Sequence, residues 1–114
     1  MGEEEKGTQK STAGEVVKRA DSVAKHEIKV GSATERQVLI GEKDGAPNFA
    51  MRRFIMGEGG GMPLHTNTVE HEQYVLCGRA TVGIGEKVYD VRANDVLYIP
   101  ADTPHFYQVT EAPF

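Results

Sequence analysis

Three of the four histidines in this chain stand at spacings that can build a metal site: His65, His71 and His105, with Asn67 between the first two. Positions 65 and 67 are two apart, so on a strand rising about 3.3 Å per residue their side chains leave the same face, close enough to reach one ion. His71 follows a short turn and can answer from the neighbouring strand, and His105 would close the set. Neutral imidazole binds Zn, Fe, Mn, Ni, Cu and Co through one nitrogen at about 2.0–2.2 Å, so imidazoles converging from different strands make a pocket for a divalent ion. The amide oxygen of Asn67 is a weaker ligand than imidazole. It is an optional fourth contact, and the three histidines leave coordination positions open.

The residues around these histidines carry a family resemblance. Gly59, His65 and Gly78 match in register the first motif of the cupins, a glycine, five residues, His, one residue, His, three or four residues, Glu, six residues and Gly. Asn67 stands at the second His, and His71 at the acidic position counted back from Gly78. Asn94, Pro100, Asp102 and His105 follow the second motif, whose final Asn is Val109 here. Two of its glycines are thus replaced by Asn94 and Asp102, the residue types that best tolerate positive φ. The resemblance covers roughly residues 38 to 107 and is closest to the small single-domain cupins that hold manganese with four histidines. It implies an all-β cupin double-stranded β-helix, a jelly-roll barrel, with a divalent transition metal in the barrel: manganese, or alternatively iron, zinc or nickel. It also favours Arg52 over Arg53 as the arginine that points into the barrel.

Elements able to position such a site are legible along the chain. Strand-like runs recur at 15–23, 26–30, 36–40, 48–56, 63–67, 71–77, 80–84, 87–91, 96–99 and 105–109. Gly31, Gly41 to Pro47, Gly57 to Gly61, Gly78, Gly85, Asn94 and Asp102 punctuate them. No helical periodicity and no internal repeat interrupts this rhythm, which is that of an antiparallel sandwich or barrel. Residues 1–14 mix Glu, Lys, Gly, Thr and Ser with little to bury, and are expected to be a disordered tail before a single domain over 15–114. Gln73 shares a strand face with His71, and Tyr107 with His105, so both are candidate pocket groups beside Arg52 and Met62. Val75 and Leu76 are consecutive apolar residues on opposite faces, so a second sheet or a partner subunit should cover the outer one. The strand that usually follows the second motif would begin near Phe114, and the gap it leaves calls for a partner's strand or the chain's own N-terminal strands. A homodimer is expected.

Composition narrows the function class. The 114 residues carry a formal net charge of −4, and from Gly59 onward seven acidic residues face three basic ones, which argues against a nucleic-acid partner. No apolar run is long enough for a membrane helix, and the polar N-terminus lacks a signal-peptide core. One cysteine, Cys77, cannot form an internal disulfide, which suits a reducing compartment. It is expected to be a small buried hydrophobe, in a cytoplasmic protein. Two classes of function stay open. A metal centre with open positions can bind substrate and O2 together or polarise a carbonyl, supporting oxygenase, isomerase or lyase chemistry on a small molecule. The alternative is a noncatalytic cupin that binds or senses a small ligand. No general acid or base stands beside the ligands in the sequence, and the catalytic residues are not assigned.

Overall fold

The structure is a computed structural model that describes residues 9–10 and 14–114. Most of the expected tail over 1–14 lies outside the described residues. Ten strands are present among the described residues: β1 (Gln9–Lys10), β2 (Val16–Val17), β3 (His26–Glu27), β4 (Ser32–Ile40), β5 (Met51–His65), β6 (His71–Tyr74), β7 (Arg79–Ile84), β8 (Lys87–Arg92), β9 (Val96–Ile99) and β10 (His105–Glu111). Two single turns of 3-10 helix, Ala20–Ser22 and Glu42–Asp44, complete the secondary structure. The chain divides into two compact units. The smaller takes the described residues up to His26 with Arg36–Arg53, and the larger takes Glu27–Glu35 with Phe54–Phe114.

In the smaller unit, β1 and β2 pair antiparallel. Gln37 is fully buried there, which is tolerable because its whole amide is satisfied. The nitrogen donates to the carbonyls of Ala20 and Val23 at 3.0 and 2.8 Å, and the oxygen accepts from Arg53 Nε at 2.7 Å. Asp44 closes the turn at Gly41 by accepting from its N–H at 2.9 Å, and also pairs with Lys18 at 3.0 Å.

The larger unit is antiparallel and all-β. The main sheet of the chain runs β3-β4-β5-β10-β7-β8, and β6 and β9 form a two-stranded sheet within the larger unit. Strict alternation sorts the side chains. Ala80 and Val82 of β7, Val91 of β8, Leu97 of β9 and the adjacent Val75 are buried together, with Ile84, Tyr107 and Phe114 packed against them. Their odd and even neighbours face away. The turns carry the expected chemistry: Asn94 and Asp102 adopt φ of 76° and 62°, as their replacement of glycine requires. Phe114 exchanges both backbone hydrogen bonds with Met56, at 2.7 and 2.8 Å, so the end of the chain lies along β5.

Two expectations about the elements are corrected. The run 15–23 is not one strand, since it holds the two-residue β2 and the 3-10 turn Ala20–Ser22. The glycine-rich stretch Gly57 to Gly61 lies inside the fifteen-residue β5 and does not separate two strands. Between the pairs His105↔His65 and Tyr107↔Met62, β5 advances three residues while β10 advances two. This is a bulge that bends the strand. Just past the bulge Gly61 lets β10 approach closely, because a Cβ there would collide with the backbone carbonyl of Tyr107.

Candidate metal and ligand site

The histidines come from three strand ends in the larger unit. His65 is the last residue of β5, His105 the first of β10, and the two are direct cross-strand partners. His71 opens β6 opposite Ile99 of β9. The ring centres of His65 and His105 are 4.1 Å apart, and those of His71 and His105 are 6.2 Å apart. Two imidazoles on one ion with bonds near 2.1 Å have ring centres about 4.5 Å apart when adjacent and about 6.4 Å when opposite. The two observed separations lie near these values. His65 and His105 are in ring contact, His71 stands farther off, and no three described His, Cys, Asp or Glu side chains are drawn into a closed ligand set.

Both contacting rings are oriented by backbone. His65 Nδ1 lies 2.8 Å from the carbonyl of Pro63, and His105 Nδ1 lies 2.8 Å from that of Thr103. A carbonyl only accepts, so each Nδ1 carries the hydrogen and each Nε2 keeps the lone pair a metal would use. Metal-binding histidines are held in this way. Sequence reasoning missed both carbonyls, and side-chain type gives no signal for them. The only common sign is position, since each carbonyl lies two residues before its histidine.

Charge is also set for ligation. Burial pushes the pKa of His105 below 6.5, the Thr103 carbonyl opposes this, and the nearby His65 adds to the lowering. His105 is 2% exposed and so favours the neutral form that can bind a cation. Glu72 is exposed and alternates with the partly buried His71 along β6. The neighbouring Glu70 carboxylate raises its carboxyl pKa, through a side-chain hydrogen bond first and like charge last. Asn67 lies in the loop after β5, half-buried, and its backbone carbonyl accepts from the Asp102 N–H at 2.7 Å. That bond ties the two motif loops together.

The other expected pocket residues fall in different places. Gln73 shares the half-buried face of β6 with His71, and its amide meets the hydroxyl of Tyr107 at 2.6 Å. The Tyr107 ring stands edge-on to His105, 5.9 Å between centres. Met62 is half-buried opposite Tyr107, with its sulfur close to Gly31. It lines a shallow depression with Val30, Leu64 and Phe106. Arg52 belongs to the smaller unit, where desolvation and the like charge of Arg36 lower its pKa. Cys77 is exposed, contrary to expectation, because β6 ends at Tyr74 and the following residues turn outward after Val75.

The comparisons agree with the fold. The cupin domain family model matches residues 52–113, and the chain belongs to that family. The polyketide cyclase RemF from Streptomyces resistomycificus is similar at 24% identity, covering 83% of this chain and 70% of its own, with a TM-score of 0.76. A predicted oxalate decarboxylase from Thermotoga maritima is similar at 20% identity, covering 83% and 88%, with a TM-score of 0.72. A cupin 2 conserved barrel domain protein from Rhodopseudomonas palustris shares 24% identity over 88% and 68%, with a TM-score of 0.66. At these identities the likeness is one of fold. A search of curated proteins finds no match. Among the described residues no helix is long and apolar enough to cross a membrane.

Proposed function

We propose that this chain is a small metal-dependent cupin in which His65, His71 and His105 hold one divalent transition ion, manganese or iron foremost, with Asn67 as an optional fourth contact. The observation that carries the proposal is the pair of Nδ1-to-carbonyl contacts, which leaves Nε2 of two touching imidazoles free to ligate. The donor set fits the group: three neutral imidazoles suit a first-row ion and leave positions for a small-molecule ligand. Bound there, such an ion would supply Lewis acidity or bind O2, the chemistry of an oxygenase, isomerase or lyase. The chain's own residues orient the rings, keep His105 neutral and line the approach with Gln73 and Tyr107. Met62 belongs to the same proposed pocket, whereas Arg52, expected there from the resemblance, lies in the smaller unit.

The alternative, a noncatalytic sensing cupin, draws support from the outward position of Glu72, which leaves no carboxylate among the proposed ligands. A cytoplasmic homodimer is part of the proposal. Exposed Tyr74, Val96 and Tyr98 on the outer face of β6 and β9 support the dimer, and a lone exposed thiol suits a reducing compartment. Elemental analysis of protein purified without chelators tests the metal. About one Mn or Fe per chain, lost in His105→Gln, is expected, and a metal-free chain that takes up no added Mn, Fe, Zn or Ni overturns the reading.

A further inference from the structure

The amide of Gln73 and the phenol of Tyr107 meet at 2.6 Å from facing elements, β6 and β10. Together they carry three polar hydrogens, one on the hydroxyl and two on the amide, and their mutual bond consumes one. The count does not depend on which way the amide is turned. If its nitrogen donates to Tyr107, the phenolic hydrogen and one amide hydrogen remain; if its oxygen accepts from Tyr107, both amide hydrogens remain. Either way the pair has donors left over. No other hydrogen bond of either side chain is present among the described residues, and both are half-buried, so the spare donors are within reach of a bound molecule.

The surroundings of this pair are apolar. Gln73 is opposite Leu97 in the β6–β9 register, Tyr107 is opposite Val82 in the β10–β7 register, and Ile99 and Ile84 stand opposite His71 and His105. A phenol and a carboxamide are both uncharged at neutral pH. We infer that Gln73 and Tyr107 form a neutral hydrogen-bond donor pair that selects a compact apolar ligand through a carbonyl or enolate oxygen, the His105 ring edge lying beside the same phenol. This assignment rests on the metal site proposed above and adds the ligand's chemical class. Gln73 is the main donor, because it keeps amide hydrogens in either orientation. Tyr107 fixes its direction and is a positioning residue.

Acetylacetone, a small apolar molecule with two carbonyl or enol oxygens, is the probe. Its dissociation constant is measured by titration calorimetry on zinc-loaded wild type, Gln73→Glu, Gln73→Leu and Tyr107→Phe, with zinc content determined for each. The Gln73 side-chain amide signal is followed by 15N NMR. Gln73→Glu replaces the donor with an acceptor and should weaken the probe by about tenfold or more; Gln73→Leu should weaken it several-fold, and Tyr107→Phe by less than Gln73→Glu. The amide signal should shift on binding. Equal affinity of wild type and Gln73→Glu at equal zinc content overturns the donor pair. Should Gln73→Glu hold less zinc, the neutral Gln73→Leu decides in the same way. Zinc content of the wild type reports separately on the metal reading, so the two failures are distinguishable.

Discussion

At the scale of single residues, the site depends on which groups are neutral and which nitrogen is free. His105 is buried with a depressed pKa, so on acidification the unfolded chain binds that proton first. Stability contributed by the neutral ring is therefore fully present above about 6.5 and is lost as pH falls below it toward the folded value. Metal-free wild type should show a melting temperature that drops between pH 7 and 5, and His105→Gln should flatten that part of the curve; identical slopes for the two would show that His105 does not set it. Asn67 offers a second test. Its half-buried place in the loop tied to Asp102 puts position 67 among the proposed ligands' supporting groups, so Asn67→His should tighten metal binding on the order of tenfold by replacing an amide with imidazole. Asn67→Ala should cost little. A dissociation constant unchanged in Asn67→His would show that position 67 does not serve the metal. The three histidines were legible in the sequence because spacing alone brought them forward. The carbonyls of Pro63 and Thr103 that orient two of them were not, since every residue carries the same backbone oxygen.

At the scale of elements, the strands from β6 to β10 could be read from alternation. Their buried positions, Ala80, Val82, Val91, Leu97 and Ile99, recur every second residue between turns marked by Gly, Asn and Asp. The glycines before His65 misled because the same residue type marks a turn and a bulge. Only pairing tells them apart, and the pairing partner, β10, lies some forty residues away in the sequence. Gln37 was illegible for a related reason. A glutamine on a strand reads as exposed, and the carbonyls of Ala20 and Val23 that satisfy it are distant in sequence. The bulge gives this scale its prediction. Gly61→Ala places a Cβ against the Tyr107 carbonyl where β5 pairs with β10, four residues along β5 from His65 in the same ladder. It should destabilise the chain by about 2 kcal/mol in urea unfolding, within the usual range for forced overpacking, and weaken metal uptake with it. An unchanged midpoint would mean that the bulge relaxes freely around a side chain.

For the whole molecule, the proposed metal binding would be linked to folding, because His105 lies 34 residues after His71 and 40 after His65, and the three come near one another only when β5, β6 and β10 are in place. A ligand that binds the folded chain alone stabilises it by mass action, about 2.7 kcal/mol at one hundred times its dissociation constant. For a chain of 114 residues this is a rise in melting temperature of roughly 10 °C. Adding manganese to chelator-stripped wild type should therefore raise the melting temperature with each decade of metal concentration. His65→Gln and His105→Gln should melt at a temperature independent of metal, because each removes one imidazole of the contacting pair. His71→Gln should keep a reduced rise, since that ring stands farther from His105 and the contacting pair remains. A metal-dependent rise of equal size in all three variants would place the ion elsewhere in the molecule, and a wild-type melting temperature unmoved by Mn, Fe, Zn or Ni would leave the histidines as a packed polar cluster.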